Sequence, residues 1–151
     1  VVKCRGEKVV EGLTFRGVQT YHDETGGSQR GENTAFIFEI DGVKVCHLGD
    51  LGHTLSEKQV SQIGPVDVLL IPVGGFYTID AAAASKVVEQ LNPKVVIPMH
   101  YKTDRCGFPI SEVGPFLKGK KSVNKMNSSE FEIHKEDLPS RTEIIVLNHA
   151  L

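Results

Sequence analysis

The chain has 151 residues, 40% of them hydrophobic and 24% charged, with a formal net charge of −2 and a pI near 6.3. That balance describes one globular domain over residues 1–151 and argues against a nucleic-acid-binding face. No run approaches the roughly 18 apolar residues of a membrane span, and a chain this long buries roughly 68–70% of its unfolded surface, so it needs no disulfide framework.

In chain order, Leu13 to Gln19 alternates like a short strand, and the polar, glycine-bearing stretch from Tyr21 to Asn33 reads as a loop. Thr34 to Ile40 and Val43 to His47 flank Asp41-Gly42, the strongest short hairpin signal, because both turn positions want positive φ. Thr54 to Ile63 is expected to be helical, with Thr54 or Ser56 as cap and Gly64-Pro65 as stop. Val66 to Val73 is nearly continuous in apolar residues, as in parallel strands covered on both faces. Gly74-Gly75 breaks it, and Asp80 caps a helix through Leu91 that Asn92-Pro93 ends. Val95 to Met99 is a further buried strand. Strand and helix thus alternate from Val43 to Met99, which is α/β organisation. Ser111 to Leu117 is expected to form a short helix, and Ser122–Met126 and Glu143–Leu147 short strands.

The cysteines, Cys4, Cys46 and Cys106, are odd in number, widely spaced and without a C-x-x-C pair, which suits a reducing, cytoplasmic setting. Cys46 lies in an apolar strand and reads as core. The basic cluster Lys118-Gly119-Lys120-Lys121 reads as a solvated turn.

Chemistry concentrates where strands end. Asp50 follows a strand and sits between Gly49 and Gly52, which exposes its carboxylate at a strand's C-terminal end. His100 repeats the placement after Val95–Met99, and His22 precedes the glycine-bearing loop. Neighbouring parallel strands bring such ends together, and imidazoles with a carboxylate can hold a divalent metal. His53 fits a ligand, a proton shuttle or a partner bonded to a ligand. His47 is expected to turn toward the backbone of Asp50 or to pack, and His134 and His149 to lie on the surface. Gly26 to Arg30 misses the G-x-S-x-G elbow at its last position. Gly114 to Lys121 misses the P-loop's Ser/Thr. Gly74-Gly75 alone is no dinucleotide fingerprint.

Together these segments resemble the metallo-β-lactamase superfamily, in its branch of L-ascorbate-6-phosphate-lactonase-like and uncharacterised metal-dependent hydrolases. The matching pieces are Tyr21-His22, Arg30-Gly31-Glu32-Asn33, His47-Leu48-Gly49-Asp50-Leu51-Gly52-His53, Ile71-Pro72-Val73-Gly74-Gly75 and Pro98-Met99-His100-Tyr101-Lys102-Thr103. The resemblance implies an αββα sandwich, with His22 and His100 each on a different metal and Asp50 bridging the two. It implies two zinc ions, or manganese or iron, and a metal-bound hydroxide attacking a phosphoester, lactone or related small substrate, phosphorylated substrates included. Arg30 and Lys102 become candidate anion contacts, and His53 a candidate proton donor to the leaving group. The superfamily's H-x-H-x-D-H motif does not occur in this sequence, and the chain opens Val1-Val2-Lys3 without methionine. The expectation is therefore a partial domain, the C-terminal portion of a longer protein. Alone it would give each metal two ligands where catalytic zinc usually has three, so it should bind metal weakly or not at all. The alternative is a non-catalytic α/β module acting by association or ligand binding. Half a sandwich exposes an apolar sheet face, which favours homo-oligomers.

Overall fold

A computed structural model describes residues 6–150; Val1 to Cys4 lie outside the described residues. One mixed eight-stranded sheet organises the chain, in the spatial order β1-β2-β3-β4-β5-β6-β8-β7. β1 (Gly6–Val10), β2 (Leu13–Tyr21), β3 (Glu32–Ile40) and β4 (Val43–His47) form an antiparallel meander. Its two tight turns are Glu11-Gly12 and Asp41-Gly42, and all four residues have positive φ, as the twist of such hairpins demands. β5 (Val68–Pro72), β6 (Val95–Met99), β7 (Val123–Lys125) and β8 (Glu143–Val146) then add parallel to β4 and to one another.

The helices are α1 (Glu57–Ile63), α2 (Ala81–Leu91) and the single turn α3 (Gly114–Leu117). α1 begins later than Thr54 because Ser56 is the true cap. Its hydroxyl accepts from the Gln59 N–H while the Gln59 side chain accepts from the Ser56 N–H, a reciprocal capping box. In α2 the Asp80 carboxylate accepts from the Ala83 N–H, and Asn92, in the left-handed conformation, closes the other end.

All three helices cover one face of the sheet. Ile63 from α1, Ala84, Val87 and Leu91 from α2 and Phe116 from α3 pack with Val18, Ile37, Cys46, Leu69, Ile71 and Val96 from the strands. Each fully buried Val or Leu in this layer stabilises by about 1.5–3 kcal/mol. Cys46 is fully buried there, as its strand position implied, and burial pushes its thiol pKa up to about 12. The opposite face carries a smaller cluster of Val43, Val68, Val95 and Ile145 under Met126, Phe131, Ile133 and Leu138. The chain is thus α/β, one mixed sheet with its helix layer on one face, consistent with the expected sandwich.

Candidate metal centre

Strand direction decides where the chemistry gathers. β2 and β4 are both antiparallel to β3 and so run the same way, and β5 and β6 are parallel to β4. The C-terminal ends of β2, β4 and β6 therefore share one edge. His22 follows β2 directly, Asp50 lies three residues past β4, and His100 follows β6 directly.

At that edge Asp50 stands between the two imidazoles. Its Oδ1 is 3.6 Å from His100 Nε2 and its Oδ2 is 4.0 Å from His22 Nε2. Both gaps exceed hydrogen-bonding range, so the three side chains converge without satisfying one another. His22 Nε2 is buried and, among the described residues, has no hydrogen-bond partner. Such an orphaned nitrogen is costly unless something else occupies it. His100 carries a second cost, a φ of +54° that a non-glycine side chain rarely adopts.

Three glycines permit this approach. A Cβ at Gly52 would sit 2.2 Å from the carbonyl carbon of His22, and one at Gly74 would sit 2.3 Å from the carbonyl oxygen of His100. Gly52 N–H donates to the Tyr21 carbonyl at 2.9 Å, and Gly74 N–H to the His100 carbonyl at 3.1 Å. Gly49, at φ +59°, leaves room for the Asn33 side chain, whose Oδ1 lies 2.5 Å from where a Cβ would stand. Asn33 is the clamp of the site. Its Nδ2 donates to Thr20 Oγ1 at 2.7 Å and to the Leu48 carbonyl at 2.8 Å, and its Oδ1 accepts from the Asp50 N–H at 3.1 Å.

The loop after His22 is built around Asp23, a buried carboxylate that the sequence did not single out. Its Oδ1 accepts from the Thr25 N–H, the Thr25 hydroxyl and the Gly27 N–H. Its Oδ2 accepts from the Gln29 and Arg30 N–H groups. Burial alone would raise its pKa, but these donors, Arg30 foremost, outweigh it and hold the carboxyl well below its ordinary value. Asp followed by Thr25 and three glycines is the signal that could have found it.

The remaining candidates fall into two groups. Arg30 lines a cavity of about 600 Å³ together with His22, while Lys102 is exposed and does not line it. His53 has both ring nitrogens committed: Nε2 accepts from the Tyr21 N–H at 3.0 Å, and Nδ1 faces the Thr54 carbonyl at 2.7 Å. His47 does turn to the backbone beside Asp50, its Nδ1 accepting from the Gly49 N–H at 3.0 Å. Burial lowers its pKa against the pull of Asp50. His134 and His149 are surface residues facing Glu132 and Asp104.

The donor set is nitrogen and oxygen only, which suits zinc, manganese or iron. The orphaned His22 Nε2 and the carboxylate held between two imidazoles fit a divalent metal. Among the described residues, however, no group of three or more His, Cys, Asp or Glu side chains closes around a common point.

Comparison with known proteins places the chain in a family. A family model described as a beta-lactamase superfamily domain matches residues 1–100. A Thermococcus onnurineus protein named a metal-dependent hydrolase is 35% identical over 100 residues, covering 65% of this chain and 45% of the relative. A Methanospirillum hungatei protein of the same description is 32% identical over 139 residues, covering 86% of this chain and 64% of the relative. The chain thus spans about half the length of such relatives. A solved Thermotoga maritima structure, proposed to be a zinc-dependent hydrolase of the metallo-β-lactamase superfamily, superposes with a TM-score of 0.84 at 42% identity. That match covers 97% of this chain and 70% of the other. The strand order, the edge where His22, Asp50 and His100 meet and the matched residues lead to one conclusion: the chain belongs to the metallo-β-lactamase superfamily.

Proposed function

We propose that this chain supplies part of the centre of a metal-dependent hydrolase acting on a small ester-, lactone- or phosphoester-type substrate. The observation that carries the reading is Asp50, whose two oxygens face His22 and His100 at 4.0 and 3.6 Å while His22 Nε2 has no hydrogen-bond partner among the described residues. His22 and His100 would each hold one divalent ion, zinc in the first instance, with Asp50 shared between them. When bound, such metals supply Lewis acidity, lowering the pKa of water toward about 7 and offsetting charge that develops on the substrate.

The chain's own residues supply position and charge. Asn33 and Gly49 fix the backbone of Asp50, and Gly52 and Gly74 fix those of His22 and His100. The Arg30 backbone is pinned by Asp23 at 2.7 Å and the residue lines the cavity, where a guanidinium could take an anionic group bidentately. Lys102, exposed one residue past Tyr101, is a second anion contact reached from outside that cavity. His53 positions rather than donates. With Nε2 accepting from Tyr21, its ring proton belongs on Nδ1, where the Thr54 carbonyl holds it away from a leaving group. The two cysteines among the described residues, Cys46 and Cys106, are free, which supports a cytoplasmic setting.

The test is Asp50→Ala in the protein at its natural length. Metal content and turnover should disappear together, and turnover that survives the substitution removes Asp50 from the mechanism.

A further inference from the structure

We propose that Phe76, Tyr77 and Phe108 form an aromatic platform that binds a planar aromatic ring carried by the anionic substrate. The inference deepens the hydrolase reading and rests on it. Among the described residues four large hydrophobic side chains are exposed, and two of them, Phe76 at 61% and Phe108 at 62%, belong to a single aromatic stack. Phe76 meets Tyr77 edge-on with ring centroids 4.6 Å apart, and Tyr77 meets Phe108 edge-on at 6.0 Å. Two phenyl rings left in water beside a third forgo the burial that would stabilise them. Phe76 is also held at a φ of +62°, a conformation costly for a bulky side chain and concentrated at ligand clamps.

The backbone explains how the rings are presented. The turn after β5 is locked by Tyr77 N–H to the Gly75 carbonyl at 2.8 Å, Gly75 N–H to Ile79 at 3.2 Å and Ile79 N–H to Leu51 at 2.8 Å. The segment bearing Phe108 returns to the same place, since the Ser111 N–H donates to the Gly74 carbonyl at 2.7 Å. Gly74 is also the residue whose N–H holds the His100 carbonyl. Both limbs of the platform therefore hang from the glycine that positions a candidate metal ligand. Phe76 and Tyr77 line the 600 Å³ cavity together with His22 and Arg30, a volume in the usual range for a drug-sized ligand.

Lys86 and the carboxylates Glu24 and Asp80 line the same cavity. The Asp80 carboxylate is engaged by the Ala83 N–H, whereas Arg30 and Lys86 have no ion-pair partner among the described residues. An anion held at Arg30 beside His22, with Lys86 as a second cation and the ring on Phe76 and Tyr77, uses the cavity's two unpaired cations and its two aromatic rings, and must keep clear of the Glu24 carboxylate. The substrate class is thus an anionic ester bearing a planar aromatic group.

Phenylphosphonate and methylphosphonate, which share the anion and differ in the ring, are the probes. Calorimetry on the protein at natural length should show phenylphosphonate bound about tenfold more tightly, the usual worth of one stacked ring. Phe76→Gly, which also relieves the positive φ and so cannot be excused by misfolding, should bring the ratio toward one without altering methylphosphonate affinity. Phe108→Ala should act in the same direction. A ratio near one in the unsubstituted protein, a ratio untouched by both substitutions, or no measurable binding of either probe overturns the proposal. Asp50→Ala separates the two readings. If turnover survives it while the phenyl preference holds, the hydrolase reading fails and the platform stands; if it abolishes turnover but no phenyl preference exists, only the platform falls.

Discussion

Gly52→Ala tests most directly whether backbone contact places the first imidazole. The new methyl carbon would lie 2.2 Å from the His22 carbonyl carbon and 2.4 Å from the Asp23 nitrogen, and both neighbours are backbone. Ordinary contact requires at least 3.4 Å, so the Leu51–His53 and Tyr21–Asp23 segments must separate by about 1 Å. That movement stretches the 2.9 Å bond from Gly52 N–H to Tyr21 beyond hydrogen-bonding range. A lost hydrogen bond costs about 1 kcal/mol, and overpacking typically adds about 1–3 kcal/mol. The sum, about 2–4 kcal/mol, corresponds to a Tm lowered by roughly 5–15 °C for a domain of this size. Displacement of His22 by about 1 Å should also lower the proposed hydrolase turnover by about a hundredfold. Differential scanning calorimetry measures the first effect and steady-state kinetics the second. Gly114→Ala is the control, because nothing lies within 4 Å of its Cβ position and helix propensity favours the change. If Gly52→Ala melts with the unsubstituted protein, the close-approach reasoning is wrong.

Asn33→Ala should cost about 3 kcal/mol, one for each of its three hydrogen bonds to Thr20, Leu48 and Asp50, read as a lower midpoint in urea at unchanged m-value. Asp23 gives a pH signature. Its folded pKa lies below the unfolded value of about 3.9, so its stabilisation is complete above that value and drains away as pH falls through the folded pKa. Urea melts from pH 7 down to pH 3 should therefore show falling stability below about pH 5. Asp23→Asn should be weaker at pH 7, where its NH2 meets backbone donors, and should have a flatter acid limb; parallel curves would refute the assignment. A thiol reagent at pH 8 should label Cys106 well before Cys46, whose pKa near 12 and full burial keep it protonated and shielded. Zinc titrated into the isolated 151-residue chain should bind weakly or not at all, since no three donors close around a point among the described residues. A tight two-ion isotherm would contradict this.

Much of the fold was legible because its signals are local. Asp41-Gly42 demands a turn with positive φ wherever the chain goes, and Asp80 before four alanines demands a helix start. β5 and β6 could be read as buried strands because both faces are covered, which leaves an unbroken apolar run. β1 was invisible for the converse reason. It is an edge strand with exposed side chains, so pairing with β2 leaves no hydrophobic alternation to detect. His22, Asp50 and His100 were legible as candidates because each follows a strand. Asp23 was not legible as part of the site, and Asn33, Gly52 and Gly74, although they lie in the matching segments, could not be read as its clamps. Their importance lies in what faces them from segments distant in sequence.

The sequence by itself determined which residues could bond a metal and which segments, the edge strand β1 apart, would be strand or helix, since side-chain chemistry and hydrophobic period belong to each residue and its near neighbours. Only the tertiary structure decided that three strands end at one edge, that His53 spends both nitrogens on backbone, and that Phe76, Tyr77 and Phe108 share one stack. Those outcomes follow from strand direction and from backbone approaches of a few ångströms, and no local pattern encodes either.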